Sequence, residues 1–174
     1  MPDSTLSAAL QEAYASAPVD DIVYHTLEIR HPDFVAPIRV VRDHADLDAT
    51  LEASAPEDAS TEVTFTRFAF DFVRPEMSSA GVPQMTIEID NVDRSIVANI
   101  EAAMASTERI TVIYREFLSG DLSAPQNDPP ITLTVLSITA DVFRVRAVCG
   151  WYNLENARFP TTEYSAETYP GLIQ

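Results

Sequence analysis

Glu62-Val63-Thr64-Phe65-Thr66-Arg67-Phe68-Ala69-Phe70-Asp71-Phe72-Val73 decides the fold class. Its side chains alternate with a period of two, which is the period of a strand and not of a helix. Phe68, Phe70 and Phe72 form an aromatic stripe on one face. The other face carries Val63, Phe65, Arg67, Ala69 and Asp71, apolar at one end and charged at the other. The pattern predicts one long strand that crosses from core to edge. Aromatic stripes of this kind dominate core energetics, so the phenylalanines are read as core and not as a ligand platform.

The same period recurs on both sides. Val23, His25, Leu27 and Ile29 alternate with Tyr24, Thr26, Glu28 and Arg30, and Ile38 to Val41 follows a His31-Pro32-Asp33 turn, which predicts a hairpin with a connection of several residues. Before it, residues 4–17 predict a short helix capped by Ser4, with Leu6, Ala9, Leu10 and Ala13 at helical spacing and Pro18 as its stop. Residues 43–60 are polar, acidic and alanine-rich, with a turn at Pro56-Glu57-Asp58, and no strand is predicted there. Downstream the reading is a loop over 75–83, a strand Met85 to Ile89, a helix over about 94–105 capped by Asp93, and a strand Arg109 to Phe117. A polar loop over 119–130 and strands Ile131–Leu136 and Ile138–Val148 complete it. About seven strands without sustained strand–helix alternation predict a mainly β protein. Its architecture is an antiparallel β-sandwich with one inserted helix and a short N-terminal helix. The chain divides into an N-terminal helical arm (1–18), a sandwich domain (19–150) and an aromatic C-terminal arm (151–174).

Composition bounds the function. The 174 residues suit one domain with arms, and 46 % apolar residues suffice for a core. Twenty-seven acidic against 11 basic residues give a formal charge of -16, which argues against nucleic acid and against an anionic membrane surface as partners. All the basic residues are arginine. A single cysteine, Cys149, excludes an internal disulfide and a cysteine-rich zinc site. No apolar run is long enough for a transmembrane helix, and the acidic N-terminus does not resemble a signal peptide, so synthesis in the cytoplasm is expected.

Motifs that carry chemistry are sparse. His25 alternates with apolar neighbours and reads as a hydrogen-bonded structural histidine. His31-Pro32-Asp33 and His44-Ala45-Asp46 set a carboxylate two residues from a histidine, but neither has the spacing of a zinc site. Asp90, Asn91 and Asp93 suggest calcium only superficially; helix capping explains them better, because the glycine and distal glutamate of a calcium loop are missing. There is no Gly-x-Ser-x-Gly elbow, the glycines are too scattered to cradle phosphate, and Cys149 reads as a buried, inert thiol. Arg67, Arg144 and Arg146 can pair with acidic residues within a subunit or between subunits. No catalytic, cofactor-binding or metal-ligating residue is assigned, and an assembly component is expected in preference to an enzyme.

Several stretches taken in order carry a resemblance: Leu10-Gln11-Glu12-Ala13-Tyr14-Ala15-Ser16-Ala17-Pro18, Thr26-Leu27-Glu28-Ile29-Arg30-His31-Pro32, Phe68-Ala69-Phe70-Asp71-Phe72 and Ile87-Glu88-Ile89-Asp90-Asn91-Val92. Further on come Asp121-Leu122-Ser123-Ala124-Pro125-Gln126, Asp128-Pro129-Pro130-Ile131-Thr132-Leu133, Phe159-Pro160 and Tyr169-Pro170-Gly171-Leu172. Together they resemble a family of uncharacterised phage and prophage proteins found among the tail genes of long-tailed phages. The resemblance implies a minor tail or tail-tip protein, similar to distal tail proteins or to the lambda-type minor tail protein M. It implies a ring, commonly a hexamer, of tail-tube-like β-sandwiches in the virion. The implied partners are copies of itself, the tail tube and the tail-tip hub, with no direct nucleic-acid binding and no membrane. Two further expectations stand beside it. One is a tail completion protein or assembly chaperone; the other is a carbohydrate-binding or hydrolysing tip module, suggested by Trp151-Tyr152 and the acidic loops.

Overall fold

A computed structural model describes residues 6–16, 21–73, 84–90, 106, 108–141 and 144–151. In chain order the elements are α1 (Ala8–Ser16), β1 (Val23–Arg30), β2 (Ile38–Val41), β3 (Leu47–Thr50), β4 (Glu62–Arg67), β5 (Phe70–Val73), β6 (Gln84–Asp90), β7 (Thr111–Leu118), β8 (Ile131–Ala140) and β9 (Arg144–Gly150). The strands form one sheet of nine, in the order β3-β4-β2-β1-β7-β8-β9-β6-β5. The fold is mainly β and sandwich-like, as the alternation predicts. Every pairing is antiparallel except β2 with β4, where Val40 and Val41 run parallel to Thr66 and Arg67. The expected inserted helix over 94–105, the loop 75–83 and the C-terminal arm beyond Trp151 lie outside the described residues.

The stretch 62–73 is not one strand. It breaks at Phe68-Ala69, and its two halves pair at opposite ends of the sheet: β4 between β2 and β3, β5 against β6. The joint itself is hydrogen-bonded to both ends, Phe68 N donating to Val41 O and Ala69 O accepting from Asp90 N. The sheet therefore folds round until its ends meet. Phe72, near one end, lies 5.0 Å from the Tyr114 ring of β7 in the middle. The alternation survives the break. Phe68, Phe70 and Phe72 join the enclosed cluster of Leu27, Val40, Met85, Ile87, Val112 and Leu133. Val63 and Phe65 face the other way, into a second cluster with Val41, Leu47, Leu51 and Phe117.

Four further departures have local causes. β3 lies in the segment read as a polar connector; Leu47 and Ala49 are buried while Asp48 is exposed, an alternation too short and too alanine-rich to stand out. The break expected at Ser137 is a bulge within β8, where the register against β9 shifts between Val135 and Ser137. The hairpin turns later, where Asp141 and Arg144 exchange backbone and side-chain hydrogen bonds. The helix begins at Ala8, and its cap is Ser7, not Ser4: Ser7 Oγ accepts from Leu10 N at 3.1 Å. Leu6 and Ser7 are still extended there, bridged to Asn127 and Gln126. Leu10 and Ala13 then pack on Leu118, whereas Ala9, expected on the same face, is exposed.

Candidate functional site

The β1–β2 hairpin ends in a tip, His31–Pro37, that is rigid for reasons visible in its chemistry. The buried His31 ring accepts from Asp33 N through Nδ1 at 3.1 Å and donates through Nε2 to Glu108 O at 3.2 Å. Phe34 N donates to His31 O at 3.0 Å, and the Phe34 ring sits 5.4 Å from the imidazole. Two prolines, Pro32 and Pro37, fix φ at either end. This frame holds Val35 entirely in solvent. Beside the tip runs a groove of about 490 Å³, bordered by Arg30, Phe34, Pro37, Pro56, Glu57 and Ile113.

Behind the groove lies an ionic cluster. Arg115 is fully buried at the middle of β7, and its guanidinium makes a bidentate pair with Glu52, both bonds at 2.8 Å. Its third contact is to Glu28 of β1, also fully buried, at 3.0 Å. Strand register explains the meeting: Arg115 stands opposite Thr26, so Glu28 is its diagonal neighbour on the same face. Arg39 of β2 reaches the same Glu28 oxygen at 3.3 Å and Asp58 at 2.7 Å. Arg30 pairs with Glu57, and its Nε lies 3.4 Å from the second Glu28 oxygen. Neither of those last two atoms has a hydrogen bond.

A third polar group lies at the other end of β1 and β7. Glu116, buried, accepts hydrogen bonds from the Tyr114 hydroxyl and, at 2.9 Å, from Tyr14 of α1. His25 Nδ1 lies 2.8 Å from the Tyr114 oxygen. Because that hydroxyl donates to the carboxylate, the ring donates to it through Nδ1–H. His25 is thus the hydrogen-bonded histidine its strand position predicts, stacked beside Tyr114 and edge-on to Phe72.

The other weighed residues are scattered. His44 is exposed beside Asp43, and Asp46 accepts from Arg67 N at 2.8 Å at the end of β4. Asp90 faces Arg144 at 3.5 Å; Asn91 and Asp93 lie outside the described residues. Arg144 and Arg146 pair with Glu88 across β9 and β6, within the chain. Burial pushes the Cys149 thiol up to about 12, so it is held as the unreactive thiol. Asp121 is held below the ordinary carboxyl value chiefly by the Ser123 hydroxyl and then by Ser123 N–H. Among the described residues no group of three or more His, Cys, Asp or Glu side chains could hold a metal ion, and no helix is long and apolar enough to cross a membrane.

Two constellations escape sequence reasoning. The ionic cluster needed strand register, although an arginine set among Val112, Ile113, Tyr114 and Phe117 was a visible signal. Asn127 had no signal. It lies buried in the polar loop 119–130 and acts as a short extra strand beside β7, its side chain accepting from Glu116 N at 2.9 Å and donating to Tyr114 O at 3.1 Å.

Against this geometry, residues 9–164 match a single family model, described as a domain of unknown function (DUF1833). The chain belongs to the DUF1833 family. The match covers α1 but for its first residue, Ala8, and the nine strands described, so the tip, the groove and both polar clusters belong to the family domain and not to an appendage. No curated protein matches the sequence.

Proposed function

We propose that this DUF1833 protein is a structural subunit of a bacteriophage tail tip or baseplate. In this reading it is a distal-tail-like ring component that joins the tail tube to the hub and receptor-binding proteins, and it is not an enzyme. The observation that carries the reading is the His31–Pro37 tip. A protein that works by contact needs an anchor side chain already held in its bound geometry, because ordering it on association would cost affinity. Val35 is such a side chain, fully exposed on a tip whose backbone is fixed by His31, Phe34 and two prolines. The resemblance of several sequence stretches, taken in order, to uncharacterised phage tail-gene proteins supports the same reading, and a mainly β sandwich-like fold is compatible with it.

Its partners are then further copies of itself in a ring of six, the tail tube above and the hub below, and its place is the virion. The strongly acidic surface would line a channel that repels DNA and lets it pass. Light scattering with negative-stain imaging tests the ring. Six-membered rings are expected from the wild type, and Val35→Asp is expected to dissolve them while leaving the monomer folded. Mass spectrometry of purified particles tests the location. A monomer that is also missing from intact virions would overturn the proposal in favour of an assembly chaperone.

A further inference from the structure

The loop between β3 and β4, residues 51–61, is closed at its neck by Leu51 N donating to Thr61 O. Its other backbone hydrogen bonds stay inside it: Ala55 N and Ser60 N to Glu52 O, Thr61 N to Asp58 O. Only side chains tie it to the sheet. The first half is held firmly, by Leu51 and Ala55 in the second apolar cluster and by the bidentate Glu52–Arg115 pair. Among the described residues, the far turn, Pro56–Ser60, rests over Glu28 on two ion pairs, Glu57–Arg30 and Asp58–Arg39, whose carboxylates are half exposed. Exposed pairs of this kind hold weakly and are screened by salt.

Closure of this turn also carries costs. Asp58 and Ser60 adopt left-handed backbone, φ 53° and 57°, without being glycine. Beneath the turn, one Glu28 oxygen and Arg30 Nε face each other at 3.4 Å, buried in an ion pair but with no hydrogen bond among the described residues. Opening would let water reach both, removing a desolvation penalty that the closed form bears.

We propose that Pro56–Ser60 is an acidic plug. It occupies, within its own chain, a docking site for an acidic segment of a partner protein, and it leaves that site while the sheet stays folded. The site is marked by Arg30 and Arg39, two cations gathered on one face of a chain whose overall charge is -16. Glu57 and Asp58 already show the chemistry that fits it, and a partner's carboxylates would replace them like for like. The groove that begins at Arg30, Pro56 and Glu57 offers Phe34, Pro37 and Ile113 as walls for the rest of such a segment. This inference does not depend on the tail reading.

Hydrogen exchange of the full-length protein tests the release, with Ser60 and Thr61 amides as probes and β1 and β7 as the reference. Raising salt to about 1 M is expected to speed the two probes at least about tenfold while the reference strands stay protected. Glu57→Gln with Asp58→Asn is expected to give the same speed at low salt. A fluorescent hexaglutamate peptide tests the site: by anisotropy at low salt it should bind that double variant at least about tenfold tighter than wild type. The gain should vanish when Arg30→Gln and Arg39→Gln are added with β1 and β7 still protected. Probes that exchange only with global unfolding would overturn the plug, and equal peptide binding by wild type and variant would overturn the site.

Discussion

The two faces of the central strands are both buried, and they are built on different physics. The enclosed face is filled chiefly by Leu27, Val40, Phe70, Met85, Ile87, Val112 and Leu133, side chains that need only shape and absence of water, with the hydrogen-bonded Tyr114, His25 and Glu116 confined to one end. The outer face sets a small apolar patch beside Arg115, Glu28 and Glu52, charges that can be buried because they pair with one another and, at Glu28, with Arg30 and Arg39. The first arrangement tolerates imprecision and drives collapse. The second gains little over an apolar filling, yet it dictates where the β3–β4 loop must lie, because a buried carboxylate cannot be left without its cation.

Arg115→Met should break the outer face most sharply. It strands the Glu52 carboxylate and strips Glu28 of its shortest partner, leaving it to Arg30 and Arg39, and urea denaturation should show a loss of about 3–5 kcal/mol. Adding Glu28→Leu and Glu52→Leu to Arg115→Met should restore most of that loss, since an apolar replacement of the whole cluster removes the unpaired charge. The matching change on the enclosed face is Leu133→Ala, expected to cost roughly 3 kcal/mol by the same measurement, with no rescue from any charge change. Between the two faces stands Asn127, whose side chain completes the β7 edge; Asn127→Ala takes away the side-chain acceptor of Glu116 N and the side-chain donor to Tyr114 O and should cost about 1–3 kcal/mol.

Smaller effects sharpen the contrast. Ser7→Ala removes the helix cap and should cost roughly 1 kcal/mol, with the Ala8 end of α1 fraying first and the Leu10 amide exchanging faster. Ser123→Ala should return Asp121 upward toward its ordinary value near 3.8, followed by NMR titration. The sign follows from a depressed folded pKa. The favourable contribution of Asp121 is present above the ordinary carboxyl range and is lost as pH falls through the folded value, and its full exposure keeps it small.

How much of this was legible in the sequence follows the same division. Period-two alternation placed β1, β2, β6, β7 and the aromatic stripe, because an apolar face imposes its pattern residue by residue. It could not place β3, where two apolar residues are too few to register, nor the break at Phe68-Ala69, where the alternation runs on unbroken while the pairing partners change. The ionic cluster joins residues 87 apart in the chain, Glu28 and Arg115, and only strand register brings them together. His25 and Cys149 were readable as structural because their neighbours on the strand were apolar. The hairpin tip was seen as a turn, but not that its histidine would be spent on backbone groups so that Val35 stands clear.

The joint at Phe68-Ala69 also constrains the order in which the chain can fold. Hairpins such as β8–β9 and β1–β2 close local loops and can form early, whereas β1–β7 and the meeting of the two sheet ends must wait for distant segments to find one another. β4 can pair locally with β3 and β5 with β6, but the contacts that join the two ends, β2 with β4 and the Phe68-Ala69 joint with Val41 and Asp90, must wait for both. That joint is the clasp between the ends, and a chain stalled before it closes would display part of the Phe68, Phe70 and Phe72 stripe, a segment able to pair with another unfinished copy.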